Sequence, residues 1–377
     1  MLDLPQYPWE LLTPYKTTAH AHPNGMVDLS IGAPVDPTPY VVQTALKSAT
    51  NWPGYPGSAG TDELRQAIAD WYSRRRKVKK LTIDNVAATV GSKEFIAWLP
   101  LLLGLGPGDV IVYPAVAYPT YDIGAKIVGA TSVTADSLAE LDEATRAKVK
   151  LVWVNSPANP TGTVQDADAL RAIVDDARAI GAVVASDECY AELGWGQWET
   201  TRVPSILQKK VSNGDFTGLL SVYSLSKQSN MAGYRAAFVA GDAELIAALI
   251  NLRSHTGMVV PGPIQRAMIA ALNDENHVVE QKNRYRARRD QLISAITAAG
   301  LVVDHSEAGL YLWVRDPSVT TPTAEDSWAL VARFAEAGIL VGPGVFYSAA
   351  GNGYIRLSIT ATDHDINQAV TRLNTGV

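Results

Sequence analysis

The chain has 377 residues, 47% of them hydrophobic and 19% charged, with a formal net charge of −6, the make-up of a globular protein long enough for two domains. The acidic balance argues against a nucleic-acid or anionic-membrane partner, and the single cysteine, Cys189, excludes an intrachain disulfide framework and a cysteine metal site. The opening residues MLDLPQYPWE lack the basic and apolar regions of a signal peptide, and the apolar run 95–105, interrupted by Pro100, is too short to span a bilayer, so the expected location is cytoplasmic.

The first 40 residues or so are rich in Pro, Thr and His and predict an extended, ordered segment that returns to pack on the C-terminal part. His20 and His22 read as loop polarity, since no partner ligands stand at metal spacing. A helix is predicted over 61–77, with the basic run 74–80 as its solvated end. A short strand then leads through Val90-Gly91-Ser92-Lys93-Glu94 into an apolar helix from Phe95. Gly104, Gly106 and Gly108 mimic a nucleotide loop, but they follow a helix and precede a strand, the reverse of the order such a site needs; they read as a helix stop and turn.

From about 107 to 241, β-branched runs at 110–113, 149–155, 182–186, 218–223 and 236–240 alternate with helical patterns. In 166–180 the stripe Leu170, Ile173, Val174, Ala177, Ile180 lies behind a cap at Asp166 or Asp168. This alternation predicts a mostly parallel sheet covered on both faces. After Pro263 come helices to about 272 and over 276–299. Strands follow near 301–303 and 310–314, then a helix over 324–337, strands at 339–341 and 354–359, and a last helix after Thr362. That is an α+β pattern. The expected division is an N-terminal segment 1–40, a large domain 41–275 and a small domain 276–377.

Ligands of parallel α/β sheets bind beyond the carboxyl ends of the strands, and three polar motifs fall there. They are Asn155-Ser-Pro-Ala-Asn159-Pro-Thr-Gly162, Ser186-Asp187-Glu-Cys-Tyr190, and Ser224-Leu-Ser226-Lys227 with Arg235 eight residues after the lysine. Each alone has a plainer reading as a turn, a helix cap or a serine-rich loop. A lysine past a strand, among hydroxyls and an arginine, is placed to form a Schiff base with an aldehyde cofactor whose phosphate the neighbours grip. The motif S-x-S-K-x(7)-R resembles the pyridoxal-phosphate lysine motif of class I/II, fold-type I, aminotransferases.

Pyridoxal 5'-phosphate needs the remaining groups as well. Its pyridine nitrogen needs a buried carboxylate, met by Asp187. Its phenolic oxygen needs donors, met by Asn159 and Tyr190, and its ring face needs cover, met by Tyr118. Its phosphate needs a helix N-terminus with donors, met by Ser92 and Lys93, with Ser224 and Arg235 completing the cup. Cys189 has no placed histidine and reads as a packed thiol, not a nucleophile.

The family resemblance extends over nearly the whole chain. It implies that Gly32, in Asp28-Leu-Ser-Ile-Gly-Ala-Pro34, approaches the substrate, and that Tyr55 reaches the phosphate of a neighbouring subunit. It implies too that Arg356, in Gly353-Tyr-Ile-Arg-Leu-Ser358, binds the substrate α-carboxylate, for which a planar guanidinium is suited. The implied fold is a mostly parallel seven-stranded sheet between helices plus a smaller α+β domain, and the implied assembly is a homodimer with active sites at the subunit interface. Lys227, Asp187 and Tyr190 would be catalytic in a ping-pong transamination.

Segments 8–16, 27–37 and 95–109 resemble actinobacterial N-succinyldiaminopimelate aminotransferases, which implies exchange between glutamate/2-oxoglutarate and N-succinyl-2-amino-6-ketopimelate. Lys16 is the expected reader of the distal carboxylates. An aspartate or aromatic amino-acid aminotransferase, or a pyridoxal-phosphate lyase on the same fold, are the alternatives; Arg253 and His255 lie in the region of the aspartate enzymes' distal arginine but match it poorly. A regulatory sensor on this fold is disfavoured, because no basic recognition helix precedes residue 28.

Overall fold

The β-branched runs pair into sheets in a computed structural model that describes residues 4–376. In chain order the strands are β1 (Val27–Asp28), β2 (Val86–Val90), β3 (Val110–Tyr113), β4 (Thr131–Thr134), β5 (Val149–Asn155), β6 (Val183–Asp187) and β7 (Leu219–Ser224). They continue as β8 (Ala236–Gly241), β9 (Val302–Asp304), β10 (Tyr311–Arg315), β11 (Ile339–Leu340), β12 (Gly342–Pro343) and β13 (Tyr354–Ser358). The large sheet has the order β2-β8-β7-β6-β5-β3-β4. Only β8 runs against its neighbours; the other pairs are parallel. This is the fold-type I α/β architecture expected from the sequence.

Alternate residues of each strand feed two apolar clusters, one on each face. Val110, Val112, Val152, Val154 and Val184 pack on one side, and Ile111, Leu151, Trp153, Ala185 and Val222 on the other. A third cluster joins Leu12, Val27 and Leu29 to the antiparallel sheet β12-β13-β10-β9 and the helices around it. We propose that the chain divides near residue 275, since Leu272 belongs to the first cluster and Tyr285 to the third.

Strand ends shift by one residue from the sequence expectation, so that Asp187 and Ser224 are the last residues of β6 and β7. β4 escapes the apolar pattern because it is a half-exposed edge strand. The run 339–341 yields only β11, which pairs with β1, while β12 just after it pairs with β13.

Three expectations are corrected. The N-terminal segment is not a loop throughout: a 3-10 turn, Pro8–Leu12, leads into an α-helix, Thr13–His20. Pro14 sits in its first turn, where no N–H is needed. Leu12 and Ala19 are buried, and Tyr15 stacks on Trp328 at 5.2 Å; such packing outweighs the weak helix propensity of its threonines. Pro100 does not end its helix, which runs over Ser92–Leu102. The carbonyl of Ile96, four residues earlier, faces Gly124 of the neighbouring helix Thr120–Val128, where a Cβ would lie 3.2 Å away.

The basic run after 74 is not simply solvated. Arg76 is buried and pairs with Glu188 at 3.1 Å, and Arg75 pairs with Glu192. Arg76→Met alone should therefore leave the Glu188 carboxylate buried without its charge partner and destabilise the protein by about 3–5 kcal/mol in urea unfolding, whereas the double variant Arg76→Met/Glu188→Leu should recover most of that loss.

Asp36 ties the N-terminal segment to helix Asn276–Ala298 through Arg288, at 2.7 and 2.8 Å, and Gln281, at 2.7 Å. Burial raises its pKa, but the hydrogen bonds and the arginine charges outweigh that and hold it below the usual carboxylate value. A depressed folded pKa means the tie stabilises above the unfolded value of about 3.9 and is lost as pH falls through the folded one. Amide exchange in segment 27–37 should accelerate below about pH 4, and Asp36→Asn should abolish that pH dependence.

Candidate active site

The parallel register decides what meets beyond the sheet. Asn155 pairs with Asp187 and Asp187 with Val222, so β5, β6 and β7 end side by side. Their terminal residues open into a cavity of about 260 Å³ lined also by residues from the N-terminal segment, helix Ser92–Leu102 and the C-terminal sheet.

Asp187 is buried at its floor. Tyr121 donates its hydroxyl to Oδ2 at 3.0 Å and the Cys189 amide donates to Oδ1 at 3.2 Å. Neither donor is charged, and burial pushes the Asp187 pKa up. The site thus holds a desolvated carboxylate suited to a cationic N–H. The adjacent Glu188 points to the other face and is used by Arg76, Ser205 and the Ile206 amide. The Cys189 thiol is pushed well above its ordinary pKa by burial and by Asp187, in keeping with a packed thiol.

Lys227 follows β7 in a single helical turn, Leu225–Gln228, and its ammonium donates to the Gly32 carbonyl. Beside it the Ser224 and Ser226 hydroxyls are 2.7 Å apart. Helix Ser92–Leu102 starts at Gly91 with no side-chain cap, leaving its first amides open toward the cavity. Arg235, in the left-handed conformation before β8, donates to Ala232 O at 2.8 Å while its guanidinium lies against Gly91. Any Cβ at Gly91, whose φ is +78°, would run into that guanidinium.

Arg356 on β13 is buried. It donates to Asn159 Oδ1 at 2.9 Å and to Ser30 O at 2.7 Å, and its Nε has no hydrogen-bond partner among the described residues. Asn159 is itself fixed through its amide, which donates to Asn155 Oδ1 at 2.8 Å. The Tyr190 hydroxyl reaches the Tyr311 hydroxyl at 3.3 Å. Tyr118 is largely buried at the cavity wall, where Lys93 Nζ lies 5.7 Å from its ring and 5.2 Å from that of Tyr7.

The cavity therefore gathers Gly32, Ser92, Lys93, Tyr118, Asn159, Asp187, Tyr190, Ser224, Lys227, Arg235 and Arg356. Two expected residues stand apart. Tyr55 is fully exposed, and Lys16 is exposed on helix Thr13–His20 and does not line the cavity. Its helical segment presents Tyr7 and Trp9 there instead. Arg253 is buried elsewhere, donating to the carbonyls of Ala88 and Met258. Sequence reading passed over Tyr121, Tyr311, Tyr7 and Trp9. Tyr121 stands in the first turn of helix Thr120–Val128, just after Tyr118; Tyr311 heads an apolar strand and looks like core filling.

The model of the aminotransferase class I and II family matches residues 24–373. The chain is 48% identical to the 4-dedimethylamino-4-oxo-anhydrotetracycline transaminase OxyQ of Streptomyces rimosus, over 99% of this chain and 100% of that one. It is 47% identical to a probable aminotransferase of Mycobacterium tuberculosis, over 98% and 85%. It superposes with a TM-score of 0.85 on the structure of a probable N-succinyldiaminopimelate aminotransferase from Thermus thermophilus, 26% identical, over 98% and 100%.

The cofactor of such enzymes is pyridoxal 5'-phosphate, and this cavity fits it. The uncompensated Asp187 suits a pyridinium, and the open helix start beside Arg235 suits a phosphate. Gly91→Ala should push the Arg235 guanidinium aside and weaken pyridoxal-phosphate binding to the apoprotein by at least about tenfold, as measured by equilibrium dialysis.

Proposed function

Because the chain belongs to the class I and II aminotransferases, we propose that Lys227, Asp187 and Arg356 are the working groups of a pyridoxal-phosphate-dependent transamination in the cavity they share. That convergence, from three distant parts of the chain, carries the reading. The bound cofactor supplies an aldehyde for amines and an electron-withdrawing ring. Asp187 accepts the ring N–H and, being desolvated, favours its protonated form. Asn159 and Tyr190 donate to the phenolic oxygen, and Tyr118 covers the ring. The amides of Ser92 and Lys93, with the Ser92, Ser224 and Arg235 side chains, hold the phosphate.

Arg356 orients the substrate carboxylate, with Gly32 leaving backbone close to the substrate; orientation is itself a large part of the rate. The Lys227 amine moves the proton at the substrate α-carbon. An arginine this buried, with its Nη atoms already directed by Asn159 and Ser30, is preorganised for a carboxylate. Borohydride treatment of the holoenzyme should attach the cofactor covalently to the peptide containing Lys227, and Lys227→Ala should lose both the label and turnover. A labelled peptide elsewhere would remove Lys227 from this role.

The finer proposal is exchange between glutamate/2-oxoglutarate and N-succinyl-LL-2,6-diaminopimelate/N-succinyl-2-amino-6-ketopimelate, in lysine biosynthesis. The segments that resemble N-succinyldiaminopimelate aminotransferases supply Trp9, Ile31, Gly32, Ala33 and Ile96 to the cavity lining. For the distal carboxylates the cation at the mouth is Lys93, steadied over Tyr7 and Tyr118. A second reading, a polycyclic ketone acceptor, is favoured by the 48% identity to a transaminase named for one and by the aromatic rim of Tyr7, Trp9 and Tyr118.

A panel of acceptors with glutamate as donor separates the two readings. The succinylated keto acid should give the higher kcat/KM, and Lys93→Met should raise its KM more than that of a monocarboxylate acceptor. Turnover of the polycyclic ketone alone would reverse the assignment.

The enzyme is proposed to be a homodimer in which Tyr55, fully exposed on one subunit, serves the partner's site. Mixing inactive Tyr55→Ala and Lys227→Ala subunits should restore activity by rebuilding one complete site; an active monomer in sedimentation would rule this out.

A further inference from the structure

Tyr311 has no part in the reading above, yet Tyr190, Arg356 and Gly32 all meet on it. Its hydroxyl lies 3.3 Å from that of Tyr190, the two rings edge to face at 5.8 Å and 72°. The Arg356 guanidinium carbon sits 3.9 Å from its ring centroid. A Cβ on Gly32 would collide with the Tyr311 hydroxyl and ring, and the Gly32 carbonyl takes the Lys227 ammonium. The plainer explanation for an aromatic residue heading a buried strand is core filling, and phenylalanine would fill the same space. A phenol in a dry site is costly unless its hydroxyl has a use, and glycine at 32 is what leaves room for this one.

We infer that Tyr311 is a positioning residue for the reaction: its hydroxyl donates to Tyr190 and aims the Tyr190 proton at the cofactor's phenolic oxygen, while its ring face seats Arg356 for the substrate carboxylate. The inference rests on Tyr190 being a partner of the cofactor ring. The direction of the bond follows from the proton count: a hydroxyl that gives its one proton to the cofactor can only accept from its neighbour. Burial works against ionising Tyr311, but the Arg356 and Lys227 charges outweigh it and hold this phenol below the usual tyrosine range. Burial, with the Tyr311 neighbour next, holds Tyr190 well above that range. These charges accord with the same order, from Tyr311 to Tyr190 and onward. The other titratable groups facing the pair include Arg356, Lys227, Asp187, Cys189, Tyr118 and Tyr347, and all are retained in the variants below.

The test uses holoenzyme with Tyr311→Phe, Tyr311→Leu and Tyr190→Phe. Tyr311→Phe keeps the ring and loses the hydroxyl. The pH midpoint of its visible cofactor band should move up by about half a unit, the size of one weakened neutral hydrogen bond to the charged form, with KM for the amino donor unchanged. Tyr311→Leu removes the ring face as well and should raise that KM about three- to tenfold. If it fails to fold, the Tyr311→Phe titration decides.

A Tyr311→Phe midpoint equal to wild type, in an enzyme whose midpoint does move with Tyr190→Phe, overturns the inference alone. A midpoint indifferent to Tyr190→Phe overturns the role of Tyr190 and the inference with it. An unchanged KM in folded Tyr311→Leu removes the ring from the seating of Arg356.

Discussion

A carboxylate buried without a countercharge is the constraint on which this site depends. Asp187 is held at the end of β6 by a phenol and an amide, which satisfy its oxygens but not its charge. Such a group is expensive in an apolar interior, and the cost is offset when a cationic ring nitrogen is delivered to it. The sheet makes this possible. β5, β6 and β7 run parallel and end in register, so one level of the fold carries Asn155, Asp187 and, one turn further, Lys227. Strand alternation does the rest, since Glu188, one residue on, faces away and is spent on Arg76. Two adjacent acids therefore have unrelated jobs, one electrostatic and open to a ligand, the other internal and closed.

The opposite wall comes from elsewhere in the chain. Arg356 arrives on an antiparallel strand and is fixed by Asn159 from the large sheet and Ser30 from the N-terminal segment. Three regions distant in sequence thus determine where a guanidinium points. Two glycines mark the closest approaches. Gly91 gives way to Arg235 and Gly32 to Tyr311, so at each a side chain lining the cavity occupies the space of the missing Cβ. Their conformational freedom matters less at Gly32, where φ is ordinary, than at Gly91, where a positive φ adds a second reason.

The N-terminal segment links the two halves of the site. Leu12 packs into the C-terminal core, Tyr7 lies over Lys93 at the start of the helix Ser92–Leu102, and Trp9 stands 5.9 Å from Arg356. Aromatic rings meeting cations on both sides make this segment part of the cavity wall rather than a tail. That wall combines the flat rings of Tyr7 and Trp9 with the Lys93 ammonium, which lies over Tyr7.

Much of this was legible in the residues. The period-two and helical patterns determined the alternating layout, because apolar strands flanked by amphipathic helices have few other ways to bury their faces. The strand-end motifs determined Asn159, Asp187, Ser224, Lys227 and Arg235 as one group, because loops after parallel strands open on the same side of a sheet. Tertiary structure alone decided the rest. The helix Thr13–His20 forms because Tyr15 finds Trp328, a contact more than 300 residues away in sequence. Arg76 is buried because Glu188 is there to meet it. Lys93 replaces Lys16 at the mouth, and Tyr311 turns from core filling into a neighbour of Tyr190 and Arg356. In each case local pattern describes a side chain's own preferences, whereas its role depends on the charge or ring that the fold brings against it.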